Sequence, residues 1–161
     1  MNFKVFVSYS THDITQVTQL QQQLIGTSIE VFVAEHSVAP SQDLALAITT
    51  AIEQCDLFVL LWSKNAQTSA WVPQEIGKAT ALKKKILPLV LDDGINLPGF
   101  IQNLKYLPVH QNPTVALVQA RQIIVGAYEQ KNNQIAAAAQ AEKEKLALMG
   151  IGAFLLWAFS K

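Results

Sequence analysis

An unbroken apolar run, Leu57-Phe58-Val59-Leu60-Leu61-Trp62, leaves this chain few ways to fold. It has the length of a strand and no polar face, so both of its sides must be covered. Strands of this kind belong to parallel sheets with helices packed on each face. A second segment, Phe3 to Tyr9, is continuous enough in Val and Phe to be buried in the same way.

Between and after these segments, apolar runs alternate with helical periods. Asp13 opens an amphipathic helix through Val17, Leu20, Leu24 and Ile25, and Gly26 suits its stop. Ile29 to Val33 reads as a second strand. A loop from Ala34 to Ser41 follows, and then a helix from about Gln42 to Gln54 with Leu44, Ile48 and Ile52 as its buried stripe. Ile86 to Leu91 is a fourth strand, stopped by Asp92-Asp93-Gly94, and Tyr106 to Val109 is the last. A helix after Pro113 runs through Val115, Val118, Ile123 and Val125. Five strands alternating with helices predict an α/β chain of the flavodoxin-like, three-layer kind. The expected parallel sheet has order 2-1-3-4-5. Ligands in such sheets sit beyond the C-terminal strand ends, at the switch point between strands one and three. Tyr9-Ser10-Thr11 and Trp62-Ser63 fall there.

The same edge receives the segment Trp71-Val72-Pro73-Gln74-Glu75. Pro73 lacks an N–H and fits only the first turn of a helix, so a helix starts near Ser69 to Val72 with Ser69 as its cap. Glu75 then lies close to the helix N-terminus, where the macrodipole favours an ionised carboxylate. Trp71 and Glu75 are four apart and share a face. An aromatic plate beside a carboxylate suits a ligand with a flat ring and a developing positive charge. The alternative is a solvated helix Glu with a Trp packing a corner.

Other chemistries are poorly served. Formal net charge is zero and the pI about 6.8, which gives no electrostatic case for nucleic acid. The basic run Lys83-Lys84-Lys85 falls at the end of a helix, where cations offset the dipole. No G-x-G-x-x-G follows the first strand, and the phosphate-loop reading of Gly77-Lys78-Ala79-Thr80 fails because Val72 occupies the upstream glycine position. His12, His36 and His110 have no metal-site spacing, so no metal is expected. A phosphoacceptor site is ruled out by Ser8-Tyr9-Ser10 and Trp62-Ser63, where acidic residues are needed. Cys55 is the single cysteine, which prevents an internal disulfide, points to a reducing, cytoplasmic setting and suggests a small core filler. Met1-Asn2-Phe3-Lys4 runs directly into a strand, so no signal peptide is expected.

Five segments, in order, resemble the TIR (Toll/interleukin-1 receptor) domain of the compact bacterial kind. They are Val5 to Ser10 with His12-Asp13, Val31-Phe32-Val33 with Glu35 and Val38-Ala39-Pro40, Asp56 to Asn65, Trp71 to Ile76, and Ile86 to Leu91. The resemblance spans roughly residues 3 to 126. It implies NAD+ as the substrate rather than a cofactor, with Glu75 promoting cleavage of the nicotinamide–ribose bond to give nicotinamide and ADP-ribose or a cyclic ADP-ribose. It also implies that Trp71 packs beside the ring, that Ser10, Thr11 and Phe32 line the cleft, and that Ser63 forms its floor. TIR enzymes are generally assembly-dependent, so the loop carrying Glu35, His36, Val38 and Pro40 is expected to pack against a neighbour in a homo-oligomer or filament. A role in prokaryotic antiphage immunity goes with this reading. The rival is a non-catalytic TIR scaffold that recruits other TIR domains through the same loop. Ala34 stands where many relatives carry Asp, and Ser41 where the loop has Gly after Pro.

A TIR domain over residues 1–128 leaves a helical extension over 129–161. Ile135 to Ala141 is alanine-rich, Glu142-Lys143-Glu144-Lys145 is a charged collar, and Leu146 to Phe159 carries no charge. As a helix the last segment reaches about 21 Å, short of the roughly 30 Å of a bilayer core. It reads as a membrane-associating tail or as a helix buried between copies of the chain, with Gly150 and Gly152 allowing close approach.

Overall fold

The computed structural model describes residues 2–34 and 40–160. Strands β1 (Phe3–Ser8), β2 (Ile29–Phe32), β3 (Leu57–Trp62), β4 (Ile86–Val90) and β5 (Leu107–Pro108) form one sheet in the order β2-β1-β3-β4-β5. Every pairing is parallel, with Phe6 opposite Phe32 and Phe58, and Trp62 opposite Val90. The expected fold class and strand order are those observed. β3 is buried at every position, as its lack of a polar face requires.

Side chains alternate along each strand, so Phe6, Phe58, Leu60 and Trp62 join one cluster with the helices on their side. Those helices are α2 (Leu44–Gln54) and α4 (Val72–Ala81), which contribute Ile48 and Ile52, and Val72 and Ile76. The short α3 (Lys64–Gln67) lies between β3 and α4. On the other side of the sheet, α1 (Ile14–Gln23) buries Val17 and Leu20. The carbonyl of Gln23, its last residue, meets the chain's final helix, α5 (Pro113–Phe159), by accepting from Arg121 Nε at 2.8 Å. Asn112 caps α5, accepting from Val115 N at 3.1 Å, and Pro113 takes the first turn where its missing N–H costs nothing.

Several local expectations are corrected. Ile25 and Leu44 are exposed rather than part of buried stripes. In α5 the buried positions are Ala116, Leu117, Ala120 and Ile124, whereas Val115, Val118 and Ile123 face water. Periodicity was satisfied by either stripe there, and the small residues allow the closer approach. The Lys83-Lys84-Lys85 run is structural. Lys83 takes a left-handed φ of 55° that ends the turn after α4, and Lys84 Nζ donates to the carbonyls of Glu53 and Cys55, at 2.6 and 2.9 Å, at the end of α2. Cys55 is buried between α2 and β3, where desolvation pushes its thiol up.

The chain divides into two units between Val125 and Gly126. The second is helical through Phe159, and its large apolar side chains from Leu146 onward are exposed. Among the described residues no helix is long and apolar enough to cross a membrane, so the membrane reading of residues 146–159 gains no support.

Candidate active site

β1 and β3 are neighbours whose connections leave in opposite directions, and a cleft of about 380 Å³ opens beyond their C-terminal ends. Ala34, Leu44 and Ile48 line it with apolar side chains, and three further pieces of chain carry its polar residues. After β1, Ser10 begins a 3-10 turn (Thr11–Asp13), accepting from His12 N at 3.4 Å, and this turn presents Ser10, Thr11 and His12 to the cleft. After β3, Ser63 caps α3 by accepting from Ala66 N at 2.9 Å, which brings Asn65 and Thr68 to the opposite wall. Ser69 then turns the chain into α4, accepting from the backbone N–H groups of Trp71 and Val72 at 3.2 and 3.3 Å. Pro73 follows in the first turn, as expected from its missing N–H.

This start fixes the phase of α4. Val72, Glu75, Ile76 and Ala79 form its buried stripe, so Glu75 occupies a position facing the core. Only 8% of Glu75 is exposed, yet it lines the cleft. Ser8 Oγ donates to Glu75 Oε2 from the end of β1. Trp71 stands one turn earlier on the cleft side, 45% exposed. Burial dominates the charge state of Glu75. Desolvation pushes its carboxyl from the ordinary value of 4.5 to about 7, against the opposing pull of the Ser8 hydroxyl. The dipole argument made from sequence therefore had the wrong dominant effect, because Glu75 faces the protein rather than water.

A second acid is buried at the same edge. Asp13 accepts from Ser63 Oγ and from Asn65 Nδ2, the latter at 3.0 Å, and so ties the turn after β1 to the turn after β3. The sequence reading gave Asp13 the start of α1 and a place in the first TIR-like segment, but no bond across the sheet edge. The Asp56-to-Asn65 segment carried the partners, but their pairing across the sheet edge is tertiary.

Of the residues expected at the cleft, Ser10, Thr11, Trp71 and Glu75 are brought together. Phe32 is not among them. It lies on the edge strand with its ring stacked on Phe6 at a centroid separation of 5.4 Å, and it lines a separate groove beside α2. Ser63 is also withdrawn from the cleft, since its hydroxyl is spent on Asp13 and on the α3 cap. Glu35, His36 and Val38 of the expected assembly loop lie outside the described residues, and Pro40 is exposed. Ser41 holds φ at 74°, a left-handed conformation that glycine adopts more readily than serine. His12, Asn65 and Thr68 line the cleft but were not named as cleft residues from sequence, because isolated polar residues in turns carry no spacing signal.

A family model described as TIR domain matches residues 5–124. The TIR domain of the Toll-related receptor TRR-2 from Hydra magnipapillata superposes with a TM-score of 0.64 at 22% identity, covering 77% of this chain and 97% of that one. The CMP N-glycosidase BcmB of Clostridium botulinum gives 0.53 at 21% identity, covering 73% and 98%. The TIR domains of the activated Roq1 resistosome, which directly recognises the pathogen effector XopQ, give 0.52 at 20% identity, covering 83% and 99%. A comparison with curated proteins found no match. Matched by the family model over residues 5–124 and folded on the same five-stranded plan as these neighbours, this chain belongs to the TIR domain family.

Proposed function

We propose that this TIR domain is an NAD+ glycohydrolase in which Glu75 is the catalytic carboxylate. The observation that carries the reading is a buried acid on the wall of a ligand-sized cleft, with a half-exposed tryptophan one turn away on the same helix. The chemistry needs little more. Heterolysis of the C1′–N bond sends the electron pair to the nicotinamide nitrogen, which was cationic and leaves neutral, so no general acid is required. Positive charge builds on the ribose C1′ and its ring oxygen. An ionised carboxylate in a water-poor cleft stabilises that charge more strongly than it would in water. Water then adds at C1′ and releases a proton, giving ADP-ribose. If an adenine ring nitrogen adds instead, the product is a cyclic ADP-ribose. Trp71 offers the departing ring a flat apolar surface.

The neighbouring CMP N-glycosidase, by its name, breaks an N-glycosidic bond on this fold, which makes CMP the natural second substrate to test. Self-assembly through the segment between Ala34 and Gln42 belongs to the same proposal, as does a role in prokaryotic antiphage immunity by NAD+ depletion or a cyclic signal. Ala34 and Leu44, which flank that segment, both border the cleft, so a neighbour held there would help close it. The test is nicotinamide release from NAD+ at high and low protein concentration, with Glu75→Ala as control. Release should fall by at least about a hundredfold in the variant, and should drop more than proportionally on dilution. Equal release from both proteins removes Glu75 from the mechanism. If neither NAD+ nor CMP is cleaved, the scaffold reading stands.

A further inference from the structure

Ser8 ends a strand whose other residues are Phe3, Lys4, Val5, Phe6 and Val7. By alternation it shares the face of Phe6, the face covered by α2 and α4. It is 1% exposed, paired through the backbone register with Leu60 on β3, and lies behind the cleft rather than on its wall. A buried hydroxyl among apolar neighbours is costly unless it is bonded. Its hydroxyl donates to the carboxylate oxygen Oε2 of Glu75. The bond comes from the protein side and engages one oxygen, so the other remains for a ligand.

We propose that Ser8 is a positioning residue for the proposed cleavage: its hydroxyl, donated from the rigid end of β1, holds the Glu75 carboxylate against the cleft in the geometry that the ribose requires. This rests on the reading of Glu75 as the catalytic group. Ser8 touches no substrate and acts through Glu75 alone. The rigidity comes from placement, because β1 is flanked by β2 and β3 and cannot shift without breaking both ladders. The donated bond also favours the ionised carboxylate over the neutral acid, opposing the effect of burial. Two consequences distinguish this role from simple packing. Without the hydroxyl, the carboxylate should be both less fixed and harder to ionise.

The experiment compares wild type, Ser8→Ala and Ser8→Thr, each with folding checked by thermal melting. Steady-state NAD+ cleavage is measured across pH 5.5 to 9, and the Glu75 carboxyl is titrated by carbon NMR without substrate. Ser8→Ala should lower kcat about tenfold or more while changing KM less than about threefold, and should move the acid limb of the profile up by about one pH unit. The Glu75 titration should move in the same direction, and Ser8→Thr should restore both. Unchanged kcat and an unmoved limb in Ser8→Ala would overturn the proposal. So would a loss of kcat with the limb in place that Ser8→Thr does not repair. If the wild type cleaves no NAD+, the proposed function fails, whereas the NMR titration still judges the Ser8–Glu75 bond. A titration unaltered in Ser8→Ala then rejects it.

Discussion

Asp13 and Glu75 are both buried at the C-terminal edge of the sheet, each with a serine from a strand end as its partner, yet their surroundings differ. Asp13 is held by two side-chain donors, Ser63 and Asn65, and closes the gap between two turns. Glu75 receives one side-chain donor among the described residues, Ser8, and its cleft side has no protein partner to match. The first arrangement satisfies a buried acid and joins two segments. The second leaves desolvation undercompensated, which is why its carboxyl holds a proton up to about pH 7. Retaining such a group where an apolar residue would fill the stripe of α4 costs the fold stability, which fits the chemistry proposed for it.

The sharpest way to break this contrast is to remove each acid in turn. Asp13→Ala should destabilise the fold by about 3 kcal/mol in denaturant unfolding, because the Ser63 and Asn65 donors lose their acceptor and two turns separate. Glu75→Gln should have the opposite sign. A group whose folded pKa is raised contributes stability that is present below its unfolded value of 4.5 and is lost as pH rises through about 7. The shift corresponds to a loss on the order of 3 kcal/mol. At pH 8 Glu75→Gln should therefore be more stable than wild type by about 1–3 kcal/mol, and at pH 4.5 or below the two should nearly coincide. Destabilisation at pH 8 comparable to that of Asp13→Ala would erase the distinction.

A smaller effect separates the two aromatic residues assigned to the cleft from sequence. Phe32→Ala should cost about 1–2 kcal/mol through its lost stacking on Phe6, with kcat/KM per folded molecule unchanged. Trp71→Ala should leave stability within about 1 kcal/mol, since its ring is half-exposed, and should raise KM for NAD+ about three- to tenfold. The reverse assignment would place the ring-binding surface beside α2.

These residues also show what the sequence could and could not disclose. The sheet order followed from apolar runs without a polar face, since such strands have few arrangements, and the phase of α4 followed from Pro73. Once Pro73 set the helix start, Glu75 was bound to lie near Trp71. Its burial was equally legible in principle, because Val72, Glu75, Ile76 and Ala79 have core spacing. The dipole argument considered only the helix end and missed the face. Phe32 and Ser63 were placed by analogy with the family's cleft, and each is diverted by a tertiary partner, Phe6 for one and Asp13 for the other. Pairings of that kind join residues far apart in the chain and leave no local periodicity to read. Helix α5 was ambiguous for another reason. Two adjacent stripes both fitted a helical period, and close packing selected the one bearing alanines.

The central claim is that Glu75 works as an anion in a site that resists its ionisation. The pH dependence of kcat/KM for NAD+ tests this most directly, measured on wild type at a fixed, assembled concentration. The account predicts a rise from pH 5.5 through a half-maximal point near 7 to a plateau above 8, because deprotonated Glu75 is the working form. A profile flat from pH 5.5 to 9, or one that falls as pH rises through 7, would contradict it.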